Sequence, residues 1–193
     1  MEKLILASSS PRRRELLGLM GIDFEIDSAD VDETCALPAR EAVAELSRRK
    51  ARAVAARHPG KVILAADTLV AVDHRPLGKP ADEEEAFQML CRLRNRKHQV
   101  FTGVTVVGRE GEMVTEVDAS DVHFMDISDE EIRRYVATGE PMDKAGSYAL
   151  QGAAGMWIDR VEGSYSGIIG LPMHLVRQLL ARCGVEVLPA IRD

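Results

Sequence analysis

Apolar positions along the chain follow two periods. Leu4-Ile5-Leu6-Ala7 and Val62-Ile63-Leu64-Ala65-Ala66 are short continuous runs, the pattern of strands buried in a sheet covered on both faces. Elsewhere the period lengthens to that of a helix. Ser10-Pro11 opens a helix carrying Leu16, Leu17 and Met20, and Gly21 closes it. From Glu41 to Arg57, Val43, Leu46 and Val54 recur at helical spacing until His58-Pro59-Gly60 stops the pattern. Asp82 and Glu85 form an N-cap pair for a helix that reaches Leu93. Two long strand-like runs follow, Val100 to Val107 and Met113 to Met125, joined as an antiparallel hairpin by Gly108-Arg109-Glu110-Gly111. Ser128-Asp129-Glu130-Glu131 is a capping box. Leu171-Pro172 starts a last helix, with Pro at its first position, and Gly184 ends it. Alternating β-α units plus a hairpin predict an α/β fold with a mixed sheet. No repeat, low-complexity tract or linker divides the 193 residues, so a single domain over 1–193 is expected.

Composition changes this picture little. The chain is 46% hydrophobic and 29% charged, as ordinary globular domains are. Lys plus Arg number 25 against 31 Asp plus Glu, a net charge of −6, and aromatics make up 4%. Both features argue against an extended nucleic-acid surface, which needs a basic excess and stacking platforms. They leave open an anionic small molecule, which senses one pocket rather than the net charge. Cys35, Cys91 and Cys183 show no CxxC spacing and read as reduced thiols. The N-terminal apolar run is too short for a signal peptide, and no stretch approaches the roughly 18 apolar residues of a membrane span. A cytoplasmic location without membrane contact is therefore expected.

Several residues are unexplained by local structure. Ser10 is a good N-cap and Pro11 a good first helical residue. Arg12 and Arg13, however, put cations where the helix macrodipole favours anions. Either a carboxylate such as Glu15 compensates, or free backbone N–H groups and two guanidinium forks bind phosphate. Asp67 directly follows an apolar strand, where open α/β sheets place ligand and metal groups. A buried carboxylate there needs a partner: a divalent metal, an arginine or a helix N-terminus. Asp32 and Glu33 are carboxylates that periodicity alone does not assemble into a site. Lys50 follows Arg48 and Arg49 and by itself reads as part of a solvated helix face, whereas Lys79 lies in a Gly-Lys-Pro loop, where polar residues are more often functional. Around Asp143-Lys144-Ala145-Gly146 and Tyr148 to Gly152, small residues let a backbone approach a ligand closely, and Gln151 suits the edge of a flat polar ring. Gly163 to Pro172 is a glycine-rich approach to a helix that either cradles an anion or turns the chain. His58, His74, His98, His123 and His174 show neither HxxxH nor HxH spacing, so no zinc site is expected. P-loop, GxSxG and GxGxxG motifs are absent.

In order along the chain, Leu6-Ala7-Ser8-Ser9-Ser10-Pro11-Arg12-Arg13, Ala65-Ala66-Asp67-Thr68, Leu77-Gly78-Lys79-Pro80, Asp143-Lys144-Ala145-Gly146, Gln151-Gly152 and Gly170-Leu171-Pro172 closely resemble the Maf family. These are nucleoside triphosphate pyrophosphatases, once described as septum-formation inhibitors. The resemblance covers Leu4 to Leu180. It implies a mixed, bent β-sheet flanked by helices, with two lobes around a cleft, similar to the inosine triphosphate pyrophosphatases. It further implies hydrolysis of the α–β phosphoanhydride of a nucleoside triphosphate in a house-cleaning role, a divalent cation (Mg2+ or Mn2+) as cofactor, and a homodimer. By motif position, Asp67 matches the proton acceptor and Glu33 a second carboxylate, the two holding the metal. Lys50 is carried over as a catalytic residue, and Ser10, Arg13, Lys79 and Lys144 as substrate-binding groups. Arg12, Thr68 and Gln151 resemble the specificity positions of the branch acting on dTTP, UTP and modified pyrimidine nucleotides. The branch that prefers 7-methyl-GTP carries tryptophan, glutamine and glutamate there. An amide that both donates and accepts suits a uracil or thymine edge, and a carboxylate that only accepts suits guanine. The chain departs from the family pattern at Arg94-Asn95-Arg96-Lys97-His98 and at Gly167. Two further readings stand beside this one, a pyrophosphatase for modified purine nucleotides and a regulatory binding protein of cell division.

Overall fold

A computed structural model describes residues 3–73 and 75–187 of the chain; the ends of the 1–193 span and His74 lie outside them. Among the described residues, seven strands form one mixed sheet in the order β2-β1-β3-β5-β6-β7, with β4 paired to β3. They are β1 (Leu4–Leu6), β2 (Phe24–Ile26), β3 (Ile63–Val72), β4 (Arg75–Leu77), β5 (Arg96–Val107), β6 (Met113–Phe124) and β7 (Ile158–Glu162). Strands β2, β1 and β3 run parallel, and every other pairing is antiparallel. The helices are α1 (Pro11–Leu19), α2 (Ala39–Ala55), α3 (Glu83–Leu93), α4 (Asp129–Val136), α5 (Tyr165–Ile169) and α6 (Met173–Arg182). The α/β class and mixed sheet predicted from the pattern are both present.

Local signals explain most of the boundaries. Ser10 caps α1, Asp82 caps α3 through Glu85 N at 2.8 Å, and Ser128 and Glu131 make a full capping box on α4. Two expectations need correction. Pro172 is the N-cap of α6 rather than its first helical residue. The run Val62–Ala66 does not end at Asp67, because β3 continues to Val72 and puts Asp67 in mid-strand. The apolar run breaks there because one side of β3 has no neighbour: β1 pairs only as far as Leu64, and β4 begins opposite Val70.

Pleating of β3 sorts its side chains onto two faces. Ile63 and Ala65 pack with Ala51 and Val54 of α2, while Leu64 and Ala66 pack with Leu16 and Leu17 of α1 and Leu179 and Leu180 of α6. Farther along the strand, Val70 and Val72 join a third core with α3, α4, Phe124, Tyr148 and Trp157. Each fully buried Leu, Ile or Phe contributes about 1.5–3 kcal/mol, so these three cores hold the strand from one end to the other. At Gly167, a departure from the family pattern, a Cβ would stand 2.4 Å from Asp118 Oδ2, so the Asp118 carboxylate would have to turn aside for any larger residue. The basic turn at 94–97 is neutralised locally, with Arg94 on Asp129, Arg96 on Asp73 and Lys97 on Asp121.

His98 stands edge-on to Phe124 and Tyr148 in the third core, 2% exposed, with Nε2 2.8 Å from the Tyr148 hydroxyl. Burial pulls its pKa down from 6.5 to about 4. Between those values the unfolded chain binds the proton and the folded chain does not, so stability falls as pH falls through this window. A wild-type loss of about 2 kcal/mol between pH 7 and pH 5 is expected from this group. Urea unfolding at the two pH values should show that increment in the wild type and lack it in His98→Gln.

Candidate active site

One cleft of about 650 Å³ opens where β3 lacks a neighbour, and Ser10, Arg12, Arg13, Glu33, Lys50, Asp67, Thr68, Lys79, Lys144 and Gln151 all line it. Its two walls come from the two faces of one strand, since Asp67 points toward α2 and Thr68 toward α1 and α5.

On the α2 side, Lys50 Nζ lies 2.6 Å from Asp67 Oδ1 and 2.7 Å from Glu33 Oε1. Lys50 and Asp67 are buried, whereas Glu33 is largely exposed on the 27–38 loop. The lysine hydrogen bond, with smaller help from Lys79 and Arg13, holds the Glu33 carboxyl below the usual carboxylate range. Lys50 is therefore not on a solvated helix face. It shares the buried stripe of α2 with Val43, Ser47, Ala51 and Val54, while Arg48 and Arg49 flank that stripe. Arg49 also has a task its sequence setting concealed: Nη1 donates to the Asp32 and Thr34 carbonyls, at 3.1 and 3.0 Å, on either side of Glu33.

On the other side, Arg13 donates from Nε to Gly170 O (2.8 Å), from Nη1 to Ser8 Oγ (3.3 Å) and from Nη2 to Thr68 Oγ1 (3.1 Å). All three acceptors are neutral, so no carboxylate compensates this cation directly. Burial pulls its pKa down, opposed by the charge of Asp67. The side chains of Arg12, Lys79 and Gln151 make no hydrogen bond or ion pair with the described residues. Lys144 donates to Glu140 O and to Asp143 Oδ1, so Asp143 joins Asp67 and Glu33 as a third carboxylate of the cleft. The loops bearing Lys79 and Lys144 are tied by Gly146 N donating to Gly78 O at 3.0 Å. Gly146 has φ +70°, and a Cβ there would press into Val70, so only glycine fits.

A residue outside the motifs sets the height of α2. Gly103 pairs across the sheet with Asp67, and a Cβ on it would collide with the Val43 carbonyl and stand 2.9 Å from Ala44 N. Helix α2 thus rests directly on β5, pinned by Ser47 Oγ at 2.8 Å from Thr105 Oγ1, and this brings Lys50 down to Asp67. A lone glycine within an apolar strand run is the sequence signal for such a close approach. Gly103→Ala is expected to lift α2, destabilise the fold by about 1–3 kcal/mol, and reduce turnover about tenfold or more through displacement of Lys50. Melting temperature and initial rate measured on the same preparation check both effects.

Fold and cleft together define an α/β protein with a cation-lined pocket large enough for a nucleotide, built around a carboxylate–lysine–carboxylate bridge. A family profile described as Maf-like protein matches residues 3–183. A dTTP/UTP pyrophosphatase of Symbiobacterium thermophilum is 49% identical over 189 residues, covering 97% of either chain. One from Myxococcus xanthus is 50% identical, over 95% of this chain and 94% of its own. One from Thermococcus gammatolerans is 44% identical over 96% and 98%. The chain belongs to the Maf family. Among solved structures, a dITP/XTP pyrophosphatase of Mycobacterium abscessus aligns over 65% of this chain and 76% of its own, at 20% identity and a TM-score of 0.43. The Ham1 protein of Staphylococcus aureus aligns over 65% and 73%, at 18% identity and a TM-score of 0.46.

Proposed function

We propose that this cleft hydrolyses the α–β phosphoanhydride of dTTP, UTP and modified pyrimidine nucleotides, releasing the monophosphate and pyrophosphate in a house-cleaning role. The observation that carries the reading is the convergence of all ten motif residues on one cleft, with Lys50 bridging Asp67 and Glu33. The names of the relatives described above agree with it.

Among the described residues there is no group of three or more His, Cys, Asp or Glu placed to hold a metal. A cage made wholly of protein is therefore not the reading. Asp67 and Glu33 are two oxygen donors facing one cleft, the set Mg2+ uses when substrate phosphates complete its shell. The pair fits Mg2+ or Mn2+ held jointly with the nucleotide. When bound, the ion supplies Lewis-acid stabilisation of phosphoryl charge and a lower pKa for nearby water.

The chain's own residues do the remainder. Lys50 engages Oδ1 of Asp67 and leaves Oδ2 to accept the proton of the water that attacks the α-phosphorus. Arg13, in its neutral cradle, and Arg12, Lys79 and Lys144 neutralise charge on the triphosphate and the departing pyrophosphate. Ser10 Oγ accepts from Arg13 N and Pro11 has no N–H, so Arg12 N is the first-turn N–H of α1 left without a partner among the described residues, a setting suited to a phosphate oxygen. Gln151, exposed at the rim, offers both a donor and an acceptor to the base. Changing Gln151→Glu is expected to lower kcat/KM for dTTP and UTP about tenfold, as one repelled acceptor would; equal rates in both proteins would remove Gln151 from base recognition.

A cytoplasmic homodimer acting as one unit over residues 1–193 belongs to the same reading. No described helix is long and apolar enough to cross a membrane, and sedimentation equilibrium reads the assembly directly. The function itself is tested by a nucleotide panel with Mg2+ or Mn2+, assayed for pyrophosphate. Release from dTTP and UTP ahead of purine nucleotides supports it. Preference for modified purines, or binding without hydrolysis, supports a different reading.

A further inference from the structure

Thr102 lies on β5 directly opposite Thr68, is fully buried and does not line the cleft. Its hydroxyl donates to Gly167 O at 2.8 Å, and that bond uses its only proton. The 2.9 Å contact between Thr68 Oγ1 and Thr102 Oγ1 therefore has one possible direction: Thr68 donates and Thr102 accepts. With its proton committed, Thr68 meets Arg13 Nη2 as an acceptor, at 3.1 Å. The result is a relay of fixed polarity, from Arg13 to Thr68 to Thr102 to the Gly167 carbonyl. Arg13 has no carboxylate to anchor it, and its other acceptors are Ser8 Oγ and Gly170 O.

We propose that Thr102 is a positioning residue: it turns the Thr68 hydroxyl so that an acceptor faces Arg13, and thereby holds the guanidinium ready for a phosphate oxygen. Without the Thr102 oxygen, Thr68 has no inward acceptor and its hydroxyl is free to rotate, presenting a proton where Arg13 needs a lone pair. Thr68 then acts on substrate chiefly through Arg13, and toward any ligand it has only a lone pair to offer.

The proposal rests on the pyrophosphatase reading, and its test separates the two. Wild-type pyrophosphate release from dTTP tests the reading. Calorimetric binding of inorganic pyrophosphate tests the relay without turnover. Thr102→Val keeps the shape and removes the hydroxyl; the expected result is about a tenfold weaker pyrophosphate affinity and a tenfold higher KM for dTTP, since a hydrogen bond to a charged group is lost. Thr102→Ala, which leaves space instead of a methyl, should give the same ratios and serves if the valine variant folds poorly. Thr102→Ser restores the oxygen and should recover most of the loss. In an Arg13→Met background, Thr102→Val should change affinity less than twofold, because its route to the ligand is already gone. Wild-type affinity in the valine and alanine variants, a loss confined to kcat, a serine variant as weak as valine, or losses that multiply in the double variant would each overturn the proposal.

Discussion

Asp67→Asn is expected to lower turnover of dTTP at least about 10²-fold, the low end for removing one acid–base group, while leaving the fold intact. The asparagine retains an oxygen for Lys50, whose charge stays paired with the Glu33 carboxylate, and it fills nearly the same volume, so β3 and its pairing with β5 are undisturbed. What disappears is the carboxylate that takes the proton of the attacking water. Steady-state rates beside a melting curve separate the two outcomes. A fall in kcat with an unchanged melting temperature assigns the loss to chemistry, and near-normal turnover in a folded variant removes Asp67 from the proton-accepting role.

Lys50→Met should harm both stability and rate. The lysine lies between two carboxylates, with its side chain 11% and that of Asp67 10% exposed. Taking away one member of a buried ion pair leaves an uncompensated charge, at a cost of about 3 kcal/mol or more. For a chain of this size that corresponds to a drop of roughly 10 °C in melting temperature. The rate should fall about 10²-fold as well, because Oδ1 of Asp67 loses the contact that orients it and small displacements of a reacting group cost that much. Glu33 would also lose the hydrogen bond that keeps it below the usual carboxylate range. Its protonation then moves to higher pH, so the acid side of any rate profile that depends on Glu33 should shift upward. Differential scanning calorimetry and a pH–rate profile of the variant read these effects separately.

Much of this arrangement was legible in the chain before any coordinates. Caps announced α1, α3 and α4, and alternating and continuous apolar runs announced the hairpin and β3. Strands β2 and β4, of three residues each, carry too little period to be seen. The apolar run stops at Asp67 as it would at a strand end, because polar side chains are tolerated at mid-strand where the neighbouring strand is missing. Lys50 was masked by Arg48 and Arg49, although its spacing from Val43, Ser47 and Val54 places it on the buried stripe. The supporting residues are of another kind. Gly103 acts by lacking a side chain, Arg49 by reaching backbone carbonyls, and Thr102 through the direction of a hydrogen bond. Of these only Gly103 leaves a trace in the sequence, as a lone glycine in an apolar strand run; the other two are not patterns. Each exists only once β5 lies beside β3 and α2 lies on both.

The charge of the chain makes a related point. A net −6 excludes a broad polyanion surface, yet Arg12, Arg13, Lys50, Lys79 and Lys144 line a single cleft with Glu33, Asp67 and Asp143. Pairing then divides the five cations. Lys50 and Lys144 are held by carboxylates, whereas Arg12, Arg13 and Lys79 have none within ion-pair distance among the described residues and remain for an anionic ligand.

The most direct test of the central claim is the fate of solvent oxygen. Wild-type protein is supplied with dTTP and Mg2+ in water enriched in oxygen-18, and the products are separated and weighed by mass spectrometry. Water attacking the α-phosphorus, with Asp67 as proton acceptor, places one heavy oxygen in dTMP and none in pyrophosphate. Label in pyrophosphate, or dTDP and inorganic phosphate as the products, would contradict the account.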